Sequence, residues 1–142
     1  MSYELREHTA DVAVEATADS LGDVFAAVAE GMAAAMTEET PDAGSRFTFE
    51  ERAENREALL FDYLDRLIYE RDVRNVLPVD HDAAVREEDG EWVVEASARG
   101  VPLSEVHARD LKAVTYSEMD LSKRSPTDDE TRGWHAYVVF DV

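Results

Sequence analysis

The order in which helical and strand-like patterns follow one another is the feature that most constrains the fold of this chain. Two stretches, about residues 20–37 and 55–74, repeat apolar side chains at the spacing of an amphipathic helix. Seven other stretches have the alternation or the β-branched and aromatic content of strands. Two helices cannot cover both faces of so many strands. We therefore predict one α+β domain over residues 1–142, a two-layer fold with both helices packed on a mixed, mostly antiparallel sheet.

The boundaries of these segments follow from capping and turn residues. Ser20, with Asp23 three residues later, predicts the start of the first helix, and Pro78 closes the connection after the second. Asp89-Gly90 predicts a turn between two strands. The predicted strands, in chain order, cover residues 3–7, 12–16, 46–52, 79–86, 92–101, 111–121 and 134–142. The element order is thus β-β-α-β-α followed by four strands.

The formal net charge of −19 admits two explanations. A disordered acidic segment is one, but 44% of the residues are hydrophobic and the apolar positions are periodic, which indicates a folded chain. An acidic surface adapted to very high salt is the other, because in molar salt the Debye length falls to about 3 Å and like charges cease to repel. We therefore predict a folded domain from a salt-loving organism, and neighbouring carboxylates carry little weight as evidence for a site.

Several classes of function are disfavoured by what the sequence lacks. Without cysteine, disulfide bonds and Cys-ligated zinc are excluded. No signal peptide or membrane span is predicted, since the apolar residues 24–36 are interrupted by Glu30 and Gly31, so we expect a cytoplasmic protein with no membrane partner. The absence of a run of Lys and Arg disfavours direct binding of nucleic acid.

The segment HTAD, His8 to Asp11, lies in the connection between the first two strands. Thr9 and Asp11 are residue types that commonly hydrogen-bond to backbone groups in loops, so a simple turn explains the motif. A functional site that uses His8 and Asp11 is the alternative.

The final strand, WHAYVVFDV, places Asp141 next to the α-carboxylate of Val142. Hard cations such as Ca²⁺ take about 6–8 oxygen ligands from carboxylates, carbonyls and water. Asp11, at the edge of a strand, is a third carboxylate that could complete such a cage. The alternative is a frayed end with a solvated Asp141.

Three further features have weaker interpretations. Lys112, in LKAVTY, is one of only two lysines, so its compact positive charge either serves a site or pairs with one of the many acids. DHD, at residues 80–82, resembles a metal motif, but strand alternation sends His81 to the opposite face from both acids, and we assign it to the entry of a strand. His107 and His135 have no neighbour in the sequence that makes either one a catalytic base.

Four segments together resemble the archease family, in order and over essentially the full length: HTADVAVEATADSLGDVFAAVAEGM, LLFDYLDRLIY, LKAVTY and YVVFDV. The resemblance implies an accessory protein and not a free-standing enzyme. Archeases assist the GTP-dependent RNA ligase that joins tRNA halves after intron removal, promoting its guanylylation and multiple turnover and broadening its nucleotide use. The resemblance also implies a divalent metal, taken to be calcium, held by Asp11, Asp141 and the terminal carboxylate of Val142.

The expected partner is therefore the tRNA-splicing ligase, through which tRNA is reached indirectly, and a monomer is favoured. We expect the metal-bearing acidic cluster to enter or reshape the ligase active site, with Lys112 near phosphate or a ligase carboxylate. Two other functions stay open. One is a metal-binding chaperone or adaptor for RNA-modifying enzymes, and the other, less favoured, is a metal-dependent hydrolase, since the sequence shows no paired base or basic phosphate clamp.

Overall fold

The computed structural model describes residues 2–7, 11–123 and 133–142, with the backbone alone at residues 6 and 7. His8 therefore lies outside the described residues, as does most of the predicted loop SKRSPTDDETRG. The elements are β1 (Ser2–Glu7), β2 (Asp11–Ala18), α1 (Leu21–Met36), β3 (Ser45–Ala53), α2 (Arg56–Arg74), β4 (Val76–Glu88), β5 (Glu91–Pro102), a 3-10 turn (Leu103–Glu105), β6 (Ala113–Lys123) and β7 (Trp134–Asp141). The two helices and the order of the strands confirm the prediction.

The strands form two antiparallel sheets. The first has the order β1-β2-β7-β6 and the second the order β3-β5-β4. The predicted α+β class and the antiparallel pairing are confirmed. The single mixed sheet of the prediction is corrected to two sheets, and the strand pairs in the described part of the chain are all antiparallel.

The burial of helix α1 explains why the strands are divided between two sheets. Ser20 caps it by accepting a hydrogen bond from the backbone N–H of Asp23 at 3.1 Å, as predicted. Nearly all its side chains are buried, and it packs against β2 of the first sheet and β4 of the second. A helix whose apolar side chains extend around most of its circumference must be covered on more than one side.

Two glycines of α1 permit this close packing. They are nine residues apart, which on a helix places them on opposite sides. A Cβ at Gly22 would overlap the carbonyl of Ala83 in β4, and a Cβ at Gly31 would lie 2.5 Å from Val14 Cγ1 in β2. Each glycine thus allows the helix backbone to approach one of the two sheets.

Helix α2 also contacts both sheets, through β6 on one side and β3, β4 and β5 on the other. The amide oxygen of Asn55 accepts from the N–H of Ala58 at 2.8 Å and caps its first turn. The guanidinium of Arg56 lies 4.9 Å from the ring centroid of Trp134 and 5.5 Å from that of Trp92, so it joins β7 of one sheet to β5 of the other. Neither helix, as far as the structure describes the chain, has the length and apolar content to cross a lipid bilayer.

The DHD segment lies at a bulge inside β4, not at its entry. The register with β5 shifts between Val79 and Asp82, and Asp80 has a positive φ of 53°. Arg46 holds the bulge by donating to the carbonyl and the carboxylate of Asp80, while Glu30 of α1 accepts from the N–H of His81 at 2.7 Å. The two acids are exposed, whereas His81 is half-buried with both ring nitrogens shielded from solvent. Desolvation lowers the pKa of His81 to about 4, so its imidazole is neutral at neutral pH.

Candidate metal centre

Two of the predicted ligands lie opposite each other on neighbouring strands of the first sheet. Asp11 begins β2 and Asp141 ends β7, and they are directly opposite in the antiparallel register. Residues directly opposite in such a pair point to the same face, with Cβ atoms about 4.5–5.5 Å apart. Asp141 is exposed and Asp11 is half-buried. The register therefore places Asp11 and Asp141 side by side, and their role as metal ligands stays a prediction.

Strand β6 lies next to β7 on the side away from β2, and its first residues are close to Asp141. Ala113 lies opposite Asp141, and the backbone N–H of Lys112 donates to the carbonyl of Asp141 at 2.8 Å. The adjoining carbonyl of Leu111 accepts from the buried guanidinium of Arg71 in α2 at 2.7 Å. A chain of two hydrogen bonds thus fixes the backbone of Asp141 to a core helix.

Val142 and Lys112 flank the pair of carboxylates. The side chain of Val142 is half-buried and packs against the core, so the backbone that follows Asp141 is held in place. Lys112 is exposed, which leaves its ammonium group free to reach a charged partner outside the chain. We name Asp11, Asp141 and Val142 together the carboxylate edge.

The chemistry of the carboxylate edge suits a hard cation. Like charges directly opposite on a sheet repel each other, and a divalent cation between them turns that repulsion into attraction. Only oxygen donors are offered, which is the ligand set that Ca²⁺ and Mg²⁺ prefer. In the described residues, groups of three or more His, Cys, Asp or Glu side chains arranged to hold a metal are absent.

A second cluster, on the outward face of the same sheet, was missed by sequence analysis. The ring of His135 in β7 lies between two carboxylates, with Nε2 2.8 Å from Glu15 of β2 and Nδ1 2.9 Å from Asp120 of β6. Desolvation lowers the pKa of His135, but the two hydrogen bonds outweigh it and the pKa is raised above its ordinary value. The protonated ring therefore ties together three strands of the sheet.

A His135→Gln variant should show how much the protonated ring contributes to stability, because that contribution depends on pH. Because the pKa is raised in the folded state, the ring contributes stability that is fully present below its ordinary pKa and is lost as the pH rises through the raised value. We expect the variant to be less stable by about 0.5–1 kcal/mol at a pH below the ordinary pKa of histidine, since the groups are partly exposed, and to match the native chain at a pH above the raised pKa. Chemical denaturation at both pH values measures this. The matched control is His107→Gln at an exposed histidine, and an equal loss at both pH values would contradict the role of the charged ring.

The fold and the carboxylate edge define a class of protein: an α+β domain that has two helices and seven strands in the described residues, with facing carboxylates at one end of β2 and β7, the two central strands of the first sheet. Comparison with known proteins identifies the family to which this fold belongs. Residues 3–142 match the model of the "Archease protein family (MTH1598/TM1083)". Protein archease of Methanosarcina acetivorans is 34% identical over 99% of this chain and 95% of its own length, and that of Pyrococcus furiosus is 26% identical over 99% and 98%. The chain belongs to the archease family.

Solved structures support the same assignment. The solution structure of protein 1598 of Methanobacterium thermoautotrophicum is similar with a TM-score of 0.82 and 29% identity, over 99% of this chain and 98% of that one. The crystal structure of an archease from Thermotoga maritima, described as a "possible chaperone", has a TM-score of 0.62 over 98% and 96%; at 21% identity this likeness shows the fold alone.

Proposed function

We propose that this archease is an accessory protein that activates the tRNA-splicing RNA ligase by promoting its guanylylation and multiple turnover, and that it is not itself an enzyme. The observation that carries the proposal is the direct opposition of Asp11 and Asp141 at the end of three strands, in a chain whose family is established. Facing carboxylates on neighbouring strands offer oxygen ligands to a cation, and carboxylates that bind a cation are not free to act as a general base or nucleophile.

The proposed ligands are Asp11, Asp141 and the α-carboxylate at Val142, and the ion is calcium or another divalent cation. When bound, the ion supplies positive charge that can attract and orient phosphate oxygens. The protein residues hold that position: Lys112 N–H fixes the carbonyl of Asp141, and Arg71 fixes the segment before Lys112. The exposed Lys112 side chain adds a second positive group at the same edge.

The charge of the chain supports an indirect route to RNA. Where salt does not screen it, a net charge of −19 repels a phosphate backbone but attracts the basic surface that an RNA-binding enzyme presents. We therefore propose that the chain contacts the ligase and reaches tRNA only through it, acting as a monomer in the cytoplasm.

Covalent guanylylation of the purified ligase tests this proposal. Labelled GTP, ligase and a substoichiometric amount of this protein are mixed, and the ligase–guanylylate is followed on denaturing gels. We expect each molecule of the protein to promote guanylylation of several ligase molecules, and we expect chelation of divalent ions bound before mixing to reduce the effect. Absence of stimulation would overturn the proposal.

Two other outcomes would indicate a different function. Release of phosphate from GTP without ligase would indicate a hydrolase. Protection of an unrelated enzyme from aggregation, without any effect on guanylylation, would indicate a general chaperone such as the description of the Thermotoga maritima archease suggests. Either result would replace the activator assignment.

A further inference from the structure

The exposed side of α2 carries large apolar side chains next to carboxylates. Tyr69 and Val73 are 56% and 60% exposed, and Tyr116, on β6 beside the helix, is 56% exposed. Positions four apart lie on one side of a helix, so Tyr69 and Val73 continue a row that begins at Phe61 and Asp65. What we name the α2 strip comprises Phe61, Asp62, Asp65, Tyr69, Val73 and Tyr116.

The aromatic pair at one end of the strip is pre-organised. The rings of Phe61 and Tyr116 are stacked with centroids 4.2 Å apart and planes 7° apart. Tyr116 lies where the register of β6 with β7 shifts, between Thr115 and Asp120, and such a bulge re-aims side chains. The hydroxyl of Thr115 donates to the carbonyl of Val139 at 3.0 Å and accepts from the N–H of Ser117 at 3.2 Å, so the bulge is held on both sides.

The strip is also acidic. Asp62 and Asp65 place two carboxyl groups on it, and Glu51 lies close by; burial first, and then Glu51 and Asp65, raise the pKa of the Asp62 carboxyl. The arginines of α2 bind other partners, namely Trp134, Glu51, Glu70 and the carbonyl of Leu111. Aromatic faces alternating with carboxylates are the surface that a guanidinium group recognises, through stacking and charge together.

The strip is continuous with the carboxylate edge. Tyr116 is three residues along β6 from Ala113, which lies opposite Asp141, so the two features are about 10 Å apart along the strand. β6 is the outermost strand of its sheet, and α2 packs beside it. A protein that covers Tyr116 therefore also covers the approach to Asp141.

We propose that the α2 strip is the surface on which the RNA ligase docks, through an arginine-bearing face of that enzyme, with its active site then lying over the carboxylate edge. This inference rests on the proposed function. Its occupant follows from charge complementarity, because an enzyme that binds RNA presents clustered Arg and Lys, and from the adjoining position of the two features.

Affinity for purified ligase, measured by calorimetry at low and high salt, tests the docking surface. Tyr69→Ala and Asp65→Lys alter exposed side chains, and we expect each to weaken binding at least about tenfold, as truncation of an interface anchor does. The loss for Asp65→Lys should shrink at high salt. The matched controls are Tyr3→Ala, an exposed tyrosine on β1 at the opposite edge of the sheet, and Glu91→Lys, at the exposed first residue of β5. The controls should bind like the native chain, and all four variants should keep native calcium affinity and unfolding midpoint.

The outcomes separate this inference from the function on which it rests. If the native chain neither binds nor activates the ligase, the proposed function fails. If the native chain activates but Tyr69→Ala and Asp65→Lys bind as tightly as it does, or the controls lose as much, the docking surface is wrong while the function stands. Concentration-dependent dimerisation that Tyr69→Ala abolishes would assign the strip to a second copy of this chain and overturn the inference.

Discussion

An Asp141→Asn chain is expected to bind Ca²⁺ at least about tenfold more weakly than the native chain, because it removes half of the facing charge and a direct oxygen donor, and even groups that only support metal ligands are worth that much. Asp11→Asn should weaken binding to a similar extent, since Asp11 stands directly across from Asp141. Calorimetric titration of chelator-treated protein measures both. Asp89→Asn is the matched control, because this exposed turn residue has a φ of 53° that asparagine accepts equally well.

Residues added after Val142 test the remaining ligand. An extension converts the α-carboxylate into an amide, so we expect weaker calcium binding, whereas the same residues added before Met1 should have no effect. Unchanged calcium affinity in Asp141→Asn would show that the carboxylate edge does not hold the ion. Equal affinity of both extended chains would remove Val142 alone from the ligand set.

A Gly22→Leu chain is expected to lose about 3 kcal/mol of unfolding free energy, the upper range for overpacking, because the new side chain meets backbone that has no rotamer to change. A Cβ at this position already overlaps the carbonyl of Ala83 in β4. Gly22→Ala should lose stability as well, although alanine is intrinsically better than glycine in a helix by roughly 1 kcal/mol. The sign of the alanine effect therefore separates close packing from helix propensity.

Urea denaturation measures the two glycine variants. The control is Asp23→Leu, which places the same side chain in the same turn of α1 at an exposed position. If Gly22→Leu is no less stable than Asp23→Leu, α1 does not approach β4 as closely as described.

The helices were predictable because their signals are local. Ser20 caps α1 as predicted, and the boundaries of both helices fell within about two residues of the pattern. The burial of α1 against both sheets was not predictable in the same way. Alanines such as Ala26, Ala29 and Ala35 are buried, but alanine favours any helix, exposed or not, so its presence does not reveal a second covering layer.

The division of the strands into two sheets could not be read from the sequence either. Alternation identifies a strand, but its partner is decided by packing over long separations. The second sheet pairs β5 with both β3 and β4, whereas β2 pairs with β7 at the other end of the chain. The packing of both helices against the two sheets accounts for this arrangement.

The candidate site was predictable to the extent that it rests on neighbouring residues and a family resemblance. Asp11 and Asp141 were named, and the register brings them together. The His135 cluster was not found because Glu15 is 120 positions away in the chain. The stacking of Phe61 on Tyr116 was hidden for the same reason, and because a bulge within β6 breaks the alternation on which a strand prediction depends.

The bulge in β6 also affects how this molecule can associate. An outer strand normally offers a row of free N–H and C=O groups onto which a foreign strand can add. In β6 the ladder with β7 is interrupted between Thr115 and Asp120, and Glu118 has a positive φ of 58°, so the regular spacing needed to template another strand is lost. This edge is therefore protected against amyloid-like stacking, and partners must recognise it by its side chains.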